Sequence, residues 1–159
     1  PNDNPDTCAK YGYYYSFAAV MDTLATGCGY NAACSPAAPI QGVCPNGWHL
    51  PDSAEWKTLI DAAGGTTRSL KAASGWENYG NESGNGTDAY GFSLLPGGYI
   101  GKAAGNPAFW FTSEAYLWSF NTGSSDSWYA VFSRNNNAHA YVYSDWTRTD
   151  SRPVRCVKN

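Results

Sequence analysis

Five cysteines in a chain of 159 residues restrict the folds that this sequence can adopt. Cys28 and Cys34 bracket a short loop containing glycine and asparagine, which predicts a small disulfide. A bond between Cys44 and Cys156 would tie the C-terminus to the middle of the chain. Cys8 would then have no disulfide partner within the sequence. Because no Cys-x-x-Cys motif and no histidine pair at a zinc spacing occurs, the cysteines indicate disulfides formed in an oxidising compartment rather than a zinc site.

Cys8 has two explanations. In the first, the cysteine that pairs with Cys8 precedes Pro1. The sequence begins without an initiator methionine, as expected for a processed piece of a longer chain. In the second, Cys8 is a catalytic thiol. A catalytic thiol needs a basic neighbour, and the nearest one is only Lys10. The missing partner is therefore the favoured interpretation.

The composition excludes several classes of protein. Aromatic residues make up 16% of the chain, which is far too many for a disordered segment. The formal net charge is -3 and the basic residues are scattered, so no basic face for nucleic acid is predicted. No apolar run approaches the length that spans a bilayer, so membrane insertion by this segment is not expected.

The order of predicted elements indicates an α+β fold in a single domain over residues 11–159, preceded by an N-terminal arm over residues 1–10. One helix is predicted from Tyr11 to Thr26, with Ser16 as a plausible N-cap. A second helix follows Asp52, which forms a capping-box pattern with Glu55. A long irregular loop over residues 74–91 comes next.

Short runs with strand character fill the second half of the chain. Two of them flank an asparagine-rich turn and predict a hairpin in an antiparallel sheet. The predicted strands are Phe92–Leu95, Ala108–Thr112, Tyr116–Phe120, Trp128–Ser133, His139–Ser144 and Val154–Val157.

The chain contains, in order, the motifs KYGYYYSFAAVMD, CPNGWHLPDSAEW, GNGTDAYGFSLLPGGY, FWFTSE and SRPVRCVKN. Together these motifs resemble the Fibrobacter succinogenes major paralogous domain. The resemblance covers the chain from about Cys8 to the end. It implies a secreted or surface-displayed bacterial protein with a C-type lectin-like fold, and a disulfide between Cys44 and Cys156. It also implies an N-terminal strand region and a further cysteine that this chain lacks.

Calcium is the first cofactor to consider for such a fold, although the main expectation is that the protein binds no cofactor. The Glu-Pro-Asn, Gln-Pro-Asp and Trp-Asn-Asp signatures of calcium-dependent lectins are absent. The glycine-rich loop does contain hard oxygen ligands, of which Glu77, Asn81 and Asp88 are the candidates for a structural calcium site. The alternative is a solvated loop whose asparagines and glycines adopt turn conformations.

Aromatic side chains in the C-terminal third offer another route to sugar binding. Sugar rings stack on aromatic faces while neighbouring polar groups bind the hydroxyls. Along the strand that contains Trp128, alternate residues face opposite ways, so up to half of these aromatics belong to the core. The candidate ligand-binding residues are Trp128, Arg134, Asn136, Tyr141, Tyr143 and Trp146.

No enzyme motif supports catalysis. His49 lies between Trp48 and Leu50 just before a helix, where a buried, hydrogen-bonded histidine is expected, and His139 has no fixed carboxylate or nucleophile near it in sequence. We therefore expect a non-catalytic, extracellular recognition or adhesion module that binds polysaccharide or a surface protein. The alternative is a self-assembling structural subunit of a surface filament or envelope layer.

Overall fold

A computed structural model describes residues 5–29, 34, 36–103, 106–110, 113–121, 127–134, 136, 138–145 and 148–159. Four helices are seen in these ranges: α1 (Pro5–Tyr11), α2 (Phe17–Val20), α3 (Thr23–Thr26) and α4 (Ser53–Ala62). The described ranges also contain nine strands: β1 (Tyr15–Ser16), β2 (Trp48–His49), β3 (Tyr99–Ala103), β4 (Asn106–Trp110), β5 (Glu114–Ser119), β6 (Ser127–Ser133), β7 (Tyr141–Asp145), β8 (Ser151–Arg152) and β9 (Val157–Lys158). Few helices with small antiparallel sheets make the fold α+β.

Helix α4 confirms the capping-box prediction. The Asp52 side chain accepts a hydrogen bond from the Glu55 backbone N–H at 2.7 Å, and the Glu55 side chain accepts one from the Asp52 N–H at 3.0 Å. This reciprocal pairing satisfies two N–H groups that a helix start would leave without partners.

The predicted helix over residues 11–26 is wrong in its extent. Gly12, with φ of 79°, follows the end of α1, and residues 15–16 form β1 instead. Ser16 does cap α2, since its hydroxyl accepts from the Ala19 N–H at 3.3 Å. Asp22 takes a left-handed conformation with φ of 51°, which separates α2 from α3. Helix α1 also occupies residues 5–10 of the predicted arm.

The strand predictions are confirmed in part. Strands β5, β6 and β7 form an antiparallel sheet in that order, and the β6–β7 hairpin is as predicted. Residues 92–95 form no strand, because Leu94 makes only an isolated bridge to Lys71. Strand β3 was not predicted, because glycines precede it and lie within it. It belongs to a second sheet with the order β1-β8-β3-β4, and β2 pairs with β9.

Two packed clusters form the core. In the first, Trp56 and Ile60 of α4 pack against Leu117 of β5 and Phe132 of β6. In the second, Trp118 packs edge-on against Phe17 at 5.8 Å between ring centroids. The sheet of β5, β6 and β7 therefore contributes to both clusters.

Both predicted disulfides are present. Cys28 bonds to Cys34, and Cys44 bonds to Cys156 across 112 positions of the sequence. Cys8 is a free, partly exposed thiol. Among the described residues, no helix is both long and apolar enough to cross a membrane.

Candidate functional site

One face of the β5–β6–β7 sheet packs into the first core cluster, and the other face carries buried Trp118 of the second cluster and is otherwise partly open. Leu117 and Phe132 point into the first cluster, with exposures of 4% and 0%. Because successive strand residues face opposite ways, Tyr116 and Tyr129 lie on the other face. Tyr129 is paired with Tyr143 of β7 in the strand register, so side chains from all three strands meet there.

Aromatic rings form a continuous row across this open face, which we call the tyrosine row. Each ring lies 4.8 to 6.4 Å from the next between centroids, the range in which aromatic side chains attract each other. In order, the row contains Tyr99, Tyr116, Tyr129, Tyr143, Tyr141 and His139.

An open groove of about 400 Å³ runs along the tyrosine row. Its walls include Glu114, His139 and four of the tyrosines. Tyr141 and Tyr143 are 49% and 50% exposed, so ring faces are available to a ligand. We call this feature the tyrosine groove.

Arg152 supports the tyrosine row from within the protein. Its side chain is 2% exposed, and its guanidinium carbon lies 4.0 Å from the Tyr129 ring centroid and 4.5 Å from that of Trp118. The guanidinium also forms an ion pair with Asp150 at 3.0 Å. A cation stacked between rings and paired with a carboxylate holds Tyr129 in place.

Two polar contacts define the hydrogen-bonding character of the groove. The Tyr116 hydroxyl donates a hydrogen bond to the Glu114 carboxylate. Burial is the main cause that raises the pKa of Tyr116, and the bond to Glu114 raises it further, so the phenol stays protonated. His139 Nδ1 lies 3.1 Å from the Gly65 carbonyl oxygen, which can only accept, so Nδ1 carries the proton. In neutral His139, Nε2 is then an acceptor.

Of the predicted ligand-binding residues, only Tyr141 and Tyr143 are seen in the tyrosine groove. Arg134 forms an ion pair with Glu77 at 2.8 Å. Asn136 donates to the Ser83 and Asn85 carbonyls at 2.8 and 2.7 Å, which fixes the β6–β7 turn against the glycine-rich loop. The Trp128 side chain and all of Trp146 lie outside the described residues.

Tyr116, Tyr129 and Glu114 are groove residues that the sequence analysis did not select. The alternation in β5 and β6 places both tyrosines opposite the core residues, so that signal was available for them. Glu114 lies two positions before Tyr116 in β5, so the same alternation places it on this face, but nothing in its residue type singled it out as a groove residue.

Two of the three predicted calcium ligands are engaged with protein groups. Glu77 pairs with Arg134, and Asp88 accepts from the Ser93 N–H at 2.6 Å and from its hydroxyl at 2.5 Å. The Ser93 contacts lower the pKa of Asp88. Asn81 is exposed at a turn. Within the described ranges, no group of three or more His, Cys, Asp or Glu residues could hold a metal.

Close backbone contacts explain why two positions of that loop are glycine. A Cβ atom at Gly84 would lie 1.7 Å from the Glu77 carbonyl oxygen, and one at Gly86 would lie 2.3 Å from the Lys71 carbonyl oxygen. The backbone there approaches its neighbours too closely for any side chain. Packing therefore accounts for these two glycines of the loop.

A larger groove of about 570 Å³ lies beside α4, with an apolar wall that includes Trp56 and Phe92. Its charged residues already have partners. Glu55 accepts from His49 and from the Asp52 N–H, while Arg155 donates to the Phe92 carbonyl at 3.0 Å. Few polar groups remain to orient a ligand there.

His49 is buried and hydrogen-bonded, as predicted. Its Nε2 lies 2.9 Å from Glu55 Oε1, and its Nδ1 lies 2.5 Å from Asn159 Oδ1. Burial lowers the pKa of His49, but the bonds to Glu55 and Asn159 outweigh it and the net shift is upward. The side chain therefore joins β2, α4 and the C-terminal segment.

Comparison with known proteins gives a family for nearly the whole chain. The model of the Fibrobacter succinogenes major domain matches residues 1–158. The match extends further towards the N-terminus than the motifs in the sequence indicated. No curated protein and no solved structure matches the chain.

Proposed function

Because the chain belongs to the Fibrobacter succinogenes major domain family, we propose that it is a bacterial extracellular recognition module that binds polysaccharide in the tyrosine groove. The observation that carries this proposal is the row of aromatic rings, half exposed at Tyr141 and Tyr143. Aromatic faces of this kind stack on the C–H faces of sugars, and the groove adds polar groups for the hydroxyls.

The fold and location belong to the same proposal. We assign the chain to the C-type lectin-like class. The long-range Cys44–Cys156 disulfide and the combination of α4 with small antiparallel sheets support this assignment. Two disulfides also support an oxidising, extracellular location.

A non-catalytic role is part of the proposal. Both histidines are engaged, His49 with Glu55 and Asn159, and His139 with the Gly65 carbonyl. Neither contacts a nucleophile among the described residues, which supports binding rather than turnover.

The test is retention on insoluble cellulose, xylan and chitin, each with calcium and with chelator. We expect retention on at least one glycan, and a loss of about ten-fold in affinity, or about 1.4 kcal/mol, when Tyr141→Ala and Tyr143→Ala are combined. Tyr13→Ala is the matched control, because Tyr13 is 70% exposed and lies outside the groove. Since Glu77 and Asp88 are engaged, chelator should leave retention unchanged.

Two results would count against the proposal. Absence of retention on every glycan would favour a surface protein as the partner. Equal retention by the double variant and the control would show that any sugar binds elsewhere on the protein.

Self-assembly is a second candidate function that one observation favours. Strand β7 lies at the end of its sheet in the strand order of the described part, and it carries exposed Tyr141 and Tyr143. An outer strand of this kind can pair with another chain. Sedimentation that shows concentration-dependent fibres would favour this function, whereas a monodisperse monomer would favour the binding module.

A further inference from the structure

We propose that the tyrosine groove selects polysaccharides that carry free amino groups, an inference that rests on the proposed function above. The charge and the hydrogen-bonding character of the groove lead to it. Both favour an ammonium group over a carboxylate or sulfate on the sugar.

Glu114 supplies the charge. It is the one Asp, Glu, Lys or Arg among the described residues that line the groove. Its carboxylate accepts from the Tyr116 hydroxyl, which orients it at the start of β5. An ionised carboxylate can accept more than one hydrogen bond, so Glu114 retains capacity for a donor on the ligand.

Two nearby cations do not offset this charge. Arg152 lies beneath the tyrosine row, 2% exposed and paired with Asp150. Arg134 is held by Glu77 at 2.8 Å. An anionic sugar would therefore meet Glu114 without compensation from Arg152 or Arg134, which is unfavourable.

The remaining groups also suit an ammonium. Exposed tyrosine faces attract cations through their quadrupoles, and a carboxylate beside aromatic rings strengthens that attraction. The tyrosine hydroxyls also accept hydrogen bonds. An ammonium carries three donors and no acceptor, so it complements this set.

The test is calorimetric titration with three short oligomers of equal length: glucosamine, N-acetylglucosamine and cellulose-type glucose. At about pH 6 an amine is mostly protonated. We expect the glucosamine oligomer to bind about five-fold more tightly than the other two, about 1 kcal/mol. Higher salt should reduce this preference.

Glu114→Gln should reduce the preference to less than two-fold, because the amide oxygen still accepts from Tyr116 but carries no charge to attract an ammonium. The matched control is Glu82→Gln. It removes the same charge from an exposed glutamate outside the described groove wall and should keep the full preference. Comparing the two variants separates a local effect from general attraction between an acidic protein and a cationic sugar.

The other possible results separate failure of amine selection from failure of the proposed polysaccharide function. Equal binding of all three oligomers, or a preference that survives Glu114→Gln, refutes amine selection while the polysaccharide function stands. Binding of none of the oligomers or insoluble glycans refutes the proposed function itself. Competition by a lysine-rich peptide at the same affinity would show that the groove recognises protein ammonium groups rather than amino sugars.

Discussion

Removing the Cys44–Cys156 disulfide tests how this chain is stabilised. A disulfide acts mainly by restricting the unfolded chain, and its effect grows with the length of the loop that it closes. Here that loop spans 112 positions, against 6 for Cys28–Cys34. The chain-entropy relation then gives about 5 kcal/mol for the long loop and about 2 kcal/mol for the short one. The loss from the long loop is a large part of the 5–15 kcal/mol typical of a whole domain.

The experiment compares two double variants, Cys44→Ala with Cys156→Ala and Cys28→Ala with Cys34→Ala. Both carry Cys8→Ser, because the free Cys8 thiol could otherwise exchange with the disulfides. Urea unfolding followed by tryptophan fluorescence gives the free energy of unfolding and the m-value. Cys28 and Cys44 are both nearly inaccessible, so the packing cost of losing sulfur is similar and largely cancels in the comparison.

We expect the Cys44–Cys156 variant to lose about 3 kcal/mol more than the Cys28–Cys34 variant and to show a larger m-value, since its unfolded chain is less restricted. Equal losses, or a larger loss from the short loop, would refute the loop-length reasoning. The stabilisation would then come from local packing around each bond.

Two further predictions concern the start of α4. The pKa of His49 is raised on folding by its bonds to Glu55 and Asn159, so its contribution to stability is complete below pH 6.5 and is lost as pH rises through the folded pKa. Wild-type unfolding free energy should therefore fall over that window relative to His49→Gln, and parallel pH profiles would contradict the assignment. Asp52→Ala should cost about 1 kcal/mol in urea unfolding through loss of the cap, whereas Asp52→Asn, which still caps, should cost much less. Equal losses in the two variants would point to the charge of Asp52 rather than to its cap.

Features that depend on near neighbours in the chain were predictable. The capping box at Asp52 and Glu55, the cap at Ser16 and the Cys28–Cys34 bond each join residues three to six positions apart. Strands β5, β6 and β7 carried their own alternation. Where one residue overrode a helical pattern, as Asp22 does with its positive φ, periodicity misjudged the helix.

The candidate site was less predictable because polar side chains have several possible partners. Arg134 and Asn136 were sensible ligand-binding candidates by residue type. Only the tertiary structure shows that Arg134 already pairs with Glu77 and that Asn136 already donates to the Ser83 and Asn85 carbonyls. The same contacts pack the glycine-rich loop, which contains the candidate calcium ligands, against the β6–β7 turn.

The sequence by itself determined an α+β chain of this family, with its aromatic residues concentrated in C-terminal strands that alternate between core and surface. The tertiary structure decided which aromatics become neighbours. Tyr116, Tyr129 and Tyr143 lie on three different strands, and Arg152 reaches beneath them from a second sheet. Strand register and sheet packing join residues distant in the chain, and no local pattern encodes those distances.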